Sequence, residues 1–141
     1  MAFIRSLLLA GTAGGIVLGF FLKAAEWLTG KKVYTLLLNV DFIPLLNRIV
    51  WPEWMEFFFH LLLSFSITAV FLGLLSKTKR PFTTAFVLML PTAFLYYPLS
   101  ILSHKSVAAP YDGQAFGWWA AGHALYALVL GLYGQKIKRE A

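Results

Sequence analysis

Cysteine is absent from the chain, which excludes a disulfide framework, a thiolate metal site and a cysteine nucleophile. Charge is scarce: only 13% of residues are Asp, Glu, Lys or Arg, where average soluble domains carry about 25%. Catalytic signatures are missing too. There is no phosphate-binding loop, H-E-x-x-H helix, nucleophile elbow or dinucleotide fingerprint. Glu56-x-x-x-His60 fits no established metal motif. A hydrolase using Glu56 and the histidines around a metal is therefore the weakest option. No tandem repeat divides the chain. The net charge is +6, but the basic residues form no platform with aromatic ones, so nucleic acid is not an expected partner.

What is abundant is apolar. Of 141 residues, 60% are hydrophobic and 17% aromatic. A soluble domain this small buries only about two-thirds of the surface its unfolded chain exposes, so lipid is the solvent that the composition requires. The length allows a single transmembrane domain, residues 1–141. Four apolar runs are long enough to approach the about 20 residues that a membrane helix needs. The first covers residues 6–22, or to 28, and follows Arg5. Lys23 and Glu26 stand at i,i+3 spacing, suited to an ion pair. A basic residue before an apolar stretch also fits a signal peptide, but this run is expected to remain as an uncleaved first span. The second run is 57–75, closed by Ser76-Lys-Thr-Lys-Arg-Pro81. The third, 82–102, contains Pro91 and Pro98, which membrane helices tolerate when neighbours satisfy the freed carbonyls. The fourth, 117–133, precedes Lys136, Lys138 and Arg139. The expected class is an all-α membrane protein, a four-helix transmembrane bundle.

Residues 33–51 are not an ordinary loop. Leu36, Leu37, Leu38, Val40, Phe42 and Ile43 alternate with Asn39, Asp41, Pro44, Asn47 and Arg48. The segment is too polar to span and predicts an interfacial or re-entrant helical segment between the first two spans. Trp51 and Trp54 follow, suited to headgroup depth. The N-terminal end, second loop and C-terminal tail carry 7 Lys and Arg, and the first and third loops carry 5. The denser charge lies on the shorter segments, which predicts cytoplasmic termini.

With four spans, the first and third loops share a side. His60 and His123 enter the second and fourth spans from that side, His104 ends the third span there, and Glu26 and Glu56 stand at the same rim. Spacing orders them further. Glu56, His60 and Ser64 follow at i+4, as do Thr92, Tyr96, Ser100 and His104, so each set occupies one helix face. Gly117, Ala121, Ala124, Ala127, Gly131 and Gly134 make a small-residue seam near His123. These stripes predict one pocket, in one leaflet, built from His60, His123, His104, Glu56, Ser64, Tyr96 and Ser100. Ionisable groups inside spans are functional candidates by default. A plainer reading stands beside this one: the histidines and hydroxyls bond neighbouring helices, and Glu56 complements a helix dipole. Gly11, Gly15 and Gly19 form a tandem small-xxx-small face. Such a face brings backbones close, either within the monomer or in a homo-oligomer.

The string His60-Leu-Leu-Leu-Ser-Phe-Ser-Ile, the short basic loop, the proline-bearing third span and Gly122-His123 opening the last span resemble the YagU-like bacterial inner-membrane proteins. The pattern is also similar to the YqhR-like proteins of spore-forming bacteria. The resemblance covers about residues 55–140. It implies a small multi-pass protein of the bacterial cytoplasmic membrane with no settled biochemical role, and carries over His60 and His123 alone. Three function classes follow. The first is a non-enzymatic protein whose outer-leaflet pocket binds a small ligand or ion or senses pH. The second is an oligomeric transporter or channel component. The third is a b-type haem protein with His60 and His123 as axial ligands. No other cofactor is expected.

Overall fold

A backbone in lipid must satisfy its own hydrogen bonds, and apart from proline nothing in the four apolar runs interrupts a helix. The computed structural model, which describes residues 1–141, is accordingly all-helical. Its helices are α1 (Ala2–Thr29), α2 (Val33–Leu38), α3 (Glu53–Thr78), α4 (Pro81–Phe94), α5 (Tyr96–Leu102) and α6 (Gly113–Glu140), with a 3-10 turn at Leu46–Arg48. The ends have local causes. Gly30 (φ 73°) and Lys79 (φ 55°) take the left-handed conformation that stops α1 and α3. Pro81 opens α4, where a missing N–H breaks no helical bond. The Asp112 side chain caps α6 by accepting from the Ala115 amide.

Four helices are long and apolar enough to cross a membrane: α1, α3, α4 continued by α5, and α6. Each neighbours the next in a ring, α1 on α3, α3 on α4, α4 on α6 and α6 on α1, so the chain runs up and down, with a short link only between α3 and α4. Helices α1, α3 and α6 extend beyond the apolar runs read from sequence, because they continue into their charged flanks. Leu9, Phe20, Leu63, Val70, Val87, Leu90, Phe94 and Leu132 point outward and exposed. A soluble monomer does not carry an apolar belt of that extent. This is a four-helix membrane bundle.

The third crossing carries two prolines. Pro91 and Pro98 cannot donate backbone bonds, so the bonding is locally interrupted at Leu95, between α4 and α5, while Leu95 itself keeps helical dihedrals and its bonds to Pro91 and Leu99. Beside it, Trp119 Nε1 on α6 donates to the Ala93 carbonyl at 3.0 Å.

Residues 33–51 depart from the expected single interfacial segment. Only α2 and the 3-10 turn are helical, and Val33, Leu36 and Leu38 of α2 are buried. Helix α2 packs on α1, α3, α5 and α6 and caps that end of the bundle. The chain beyond it is held by Asp41 rather than by helical bonds. Asp41 Oδ2 accepts from the His104 and Lys105 amides at 3.0 and 2.8 Å, and its Oδ1 accepts from Asn39 Nδ2 at 2.7 Å. Asn39 Nδ2 also donates to Ser103 Oγ at 2.7 Å. The expected Lys23–Glu26 pair does not form. Lys23 reaches Glu53 at 2.6 Å, while Glu26 accepts from the Thr35 amide and hydroxyl at 2.8 and 2.7 Å. Tyr34 also donates to Glu53; burial first, and then that bond, holds its phenol above the ordinary value. Lys31 pairs with Asp112 at 2.6 Å and holds its carboxyl below the usual carboxylate range, with help from the Ala115 amide.

Charge is partitioned between the two ends. Glu26, Asp41, Glu53, Glu56 and Asp112 share the capped end with Lys23, Lys31, Lys32, Arg48 and Lys105, so that end is formally neutral. The whole net charge of +6 therefore lies at the opposite end, where only Glu140 offsets the basic residues.

Candidate functional site

His60 lies on the second turn of α3, facing α1 across Gly15. Without a side chain at Gly15 the imidazole meets the backbone, and Nε2 stands 2.9 Å from the Gly15 carbonyl. A carbonyl oxygen only accepts, so Nε2 carries the proton and Nδ1 is left as an acceptor. On α6, His123 Nδ1 stands 2.8 Å from the Trp119 carbonyl one turn back, which leaves Nε2 as the acceptor. The Trp119 and His123 rings lie 4.6 Å apart, inclined at 36°. Both histidines are buried and line one partly open cavity of about 70 Å³, together with Ser64, Tyr126, Trp119 and Thr92. Neither free ring nitrogen has a protein hydrogen-bond partner.

A hydroxyl cluster lies below the histidines, towards the middle of the bundle. Ser64, Thr68 and Tyr126 make five short contacts among themselves and to the Gly11 and Ser64 carbonyls, but own only three hydroxyl protons. One assignment serves every group. Tyr126 donates to Ser64 Oγ at 2.8 Å, Ser64 donates to the Gly11 carbonyl at 2.7 Å, and Thr68 donates to the Ser64 carbonyl at 2.8 Å. The cluster joins α1, α3 and α6 through buried polar atoms that lipid cannot satisfy.

The expected pocket is thus smaller than the sequence implied. His60, His123 and Ser64 come together. Glu56 stays at the rim and pairs with Lys105 at 2.6 Å. Tyr96 is fully buried, but its hydroxyl turns to the Ala109 carbonyl at 2.6 Å and pins the third loop. Ser100 is buried and its hydroxyl has no partner. His104 lies exposed beyond the end of α5, its amide held by Asp41. Tyr96 and Ser100 keep to the buried face, but the helix ends at Leu102, and i+4 spacing orders residues only as far as the helix runs, so His104 leaves the stripe. Thr68, Tyr126 and Trp119 were not anticipated. Thr68 is one further i+4 step beyond Ser64, and Tyr126 and Trp119 flank His123 at i+3 and i−4, so the spacing held the signal.

The cavity limits its guests. Pockets for organic ligands run to about 300–1,000 Å³, so a porphyrin does not fit and the haem reading loses its space. Structural zinc takes about four protein ligands and catalytic zinc three, and no three His, Asp or Glu side chains converge anywhere in the chain. Water, a proton or a single small cation fits.

The glycine face of α1 meets α3. A Cβ at Gly11 would lie 2.5 Å from the Phe65 ring, one at Gly15 2.7 Å from Leu61, and one at Gly19 2.5 Å from Phe57. The close approach those residues permit is therefore used inside the chain. On α6, Gly122, Gly131 and Gly134 do the same against Leu18, Phe82 and Phe71. Fold and site together define a multi-span helical membrane protein with a small, mainly apolar cavity that two histidines line. No family model, curated protein or solved structure matches the chain.

Proposed function

We propose that this is a multi-pass protein of the bacterial cytoplasmic membrane, akin to the YagU-like proteins, with both termini cytoplasmic. The concentration of the entire net charge at the uncapped end supports that orientation. The cavity then lies in the outer leaflet. The protein is a non-enzymatic binder or pH sensor that takes water, a proton or one small cation on His60 Nδ1 and His123 Nε2. The observation that carries this reading is the pair of unpartnered imidazole acceptors in one cavity of about 70 Å³. Tyr126 is the only other titratable group in the lining. The test is tryptophan fluorescence in lipid nanodiscs across pH, because a charged imidazole against Trp119 changes its emission. The wild type should show a transition that His60→Ala/His123→Ala lacks. A double variant with the wild-type response would remove the proposal.

One observation favours a second reading, an oligomeric transporter or channel component. The proline-interrupted third crossing borders the cavity, with Leu95 and Leu99 in its wall, and Gly- or Pro-interrupted spans recur at transport sites. Cross-linking in native membranes tests it; a strictly monomeric protein argues against a pore.

A further inference from the structure

An apolar groove lies at the end of the bundle opposite the histidines. It has a volume of about 490 Å³ and opens between the start of α1 and the ends of α3 and α6. Ala2, Phe3, Leu72, Leu75 and Ile137 make its walls, and Lys79 and Lys138 stand at its rim. Neither lysine forms an ion pair; among basic residues only Lys23, Lys31, Lys105 and Lys136 do. The end that holds the groove carries the whole net charge of +6. An apolar slot with two unpaired cations at its mouth complements an amphiphile with an anionic head and a hydrocarbon tail.

Lys79 closes α3 in the left-handed conformation, φ 55°, with its amide bonded to the Leu75 carbonyl, and its side chain makes no hydrogen bond within the protein.

We propose that this groove is a specific site for an anionic phospholipid, with an acyl chain between α1, α3 and α6 and the phosphate on Lys79 and Lys138. Unlike the diffuse attraction of a basic surface, the site requires those two lysines. A basic side chain near an anionic headgroup contributes about fivefold in affinity, so losing both should cost roughly 25-fold.

Native mass spectrometry of the full chain, with equal phosphatidylglycerol and phosphatidylcholine of identical chains, tests this. The wild type should retain phosphatidylglycerol preferentially. Lys79→Gly/Lys138→Ala should lose that preference, while Lys79→Gly alone raises thermal stability by relieving the positive φ, which separates lost binding from misfolding. Lys77→Ala/Lys136→Ala removes the same charge from the same end outside the groove and should keep the preference. A wild type that does not discriminate, or a Lys77/Lys136 variant that loses as much preference as the groove variant, overturns the site.

Discussion

Asp41→Ala removes the carboxylate that ties the first loop to the third. Asp41 is only 8% exposed. It accepts from Asn39 Nδ2 at 2.7 Å and from the His104 and Lys105 amides at 3.0 and 2.8 Å. Hydrogen bonds to a charged group contribute about 1.5–3 kcal/mol each. The three are not additive here: water reaches the exposed His104–Lys105 turn once the carboxylate is gone, and Asn39 retains its bond to Ser103. A loss of about 2–4 kcal/mol is therefore expected. Asp41→Asn keeps one acceptor oxygen, which can serve either the amides or Asn39, and should lose about half as much. The assay is thermal unfolding at fixed detergent concentration, paired with hydrogen exchange at the His104 and Lys105 amides. Both variants should unfold earlier, with exchange at those two amides accelerated most in Asp41→Ala. Unchanged melting together with slow exchange would show that α2 holds the cap without the carboxylate, and the reasoning fails.

Two glycines should respond oppositely to alanine. A Cβ at Gly14 lies 2.9 Å from Tyr126 Cε2, and that ring is fixed at its hydroxyl by its bond to Ser64. Gly14→Ala should cost about 1–3 kcal/mol, whereas Gly73→Ala, with nothing within 4 Å, should gain up to about 1 kcal/mol from helix propensity; equal melting shifts would contradict the packing of α1 on α6. Asp112 has a depressed carboxyl, so its contribution is present above the unfolded carboxylate range and lost as pH falls through its lower folded value. Asn caps a helix as well as Asp does, so Asp112→Asn isolates the Lys31 pair. The melting difference from wild type should be greatest near neutral pH and shrink in acid, and a difference that grows in acid would reverse the sign of the argument.

The membrane class and the number of crossings were legible in the sequence, because each depends on quantities that accumulate along the chain. Runs of apolar residues long enough to span, and basic residues at their ends, survive any choice of packing. The i+4 stripe through His60 and Ser64 was legible for the same reason: helix geometry fixes it locally. The extension of that stripe to Thr68 was readable as well, since it needs only one more turn. What the sequence left open was which faces meet. Gly11, Gly15 and Gly19 suit a second copy as well as α3, and only the assembled ring decided for α3. Thr92, Tyr96, Ser100 and His104 share a face by spacing, but the helix ends at Leu102, before His104, and spacing does not say that the Tyr96 hydroxyl turns to the Ala109 carbonyl rather than to the histidines. Lys23 had a local partner at Glu26 and took a distant one at Glu53, because Glu26 was claimed by Thr35 across the fold. The single outer-leaflet pocket of seven residues thus became a cavity of two histidines above a hydroxyl cluster, since pairwise contact between helices is a tertiary property that one-dimensional periodicity does not contain.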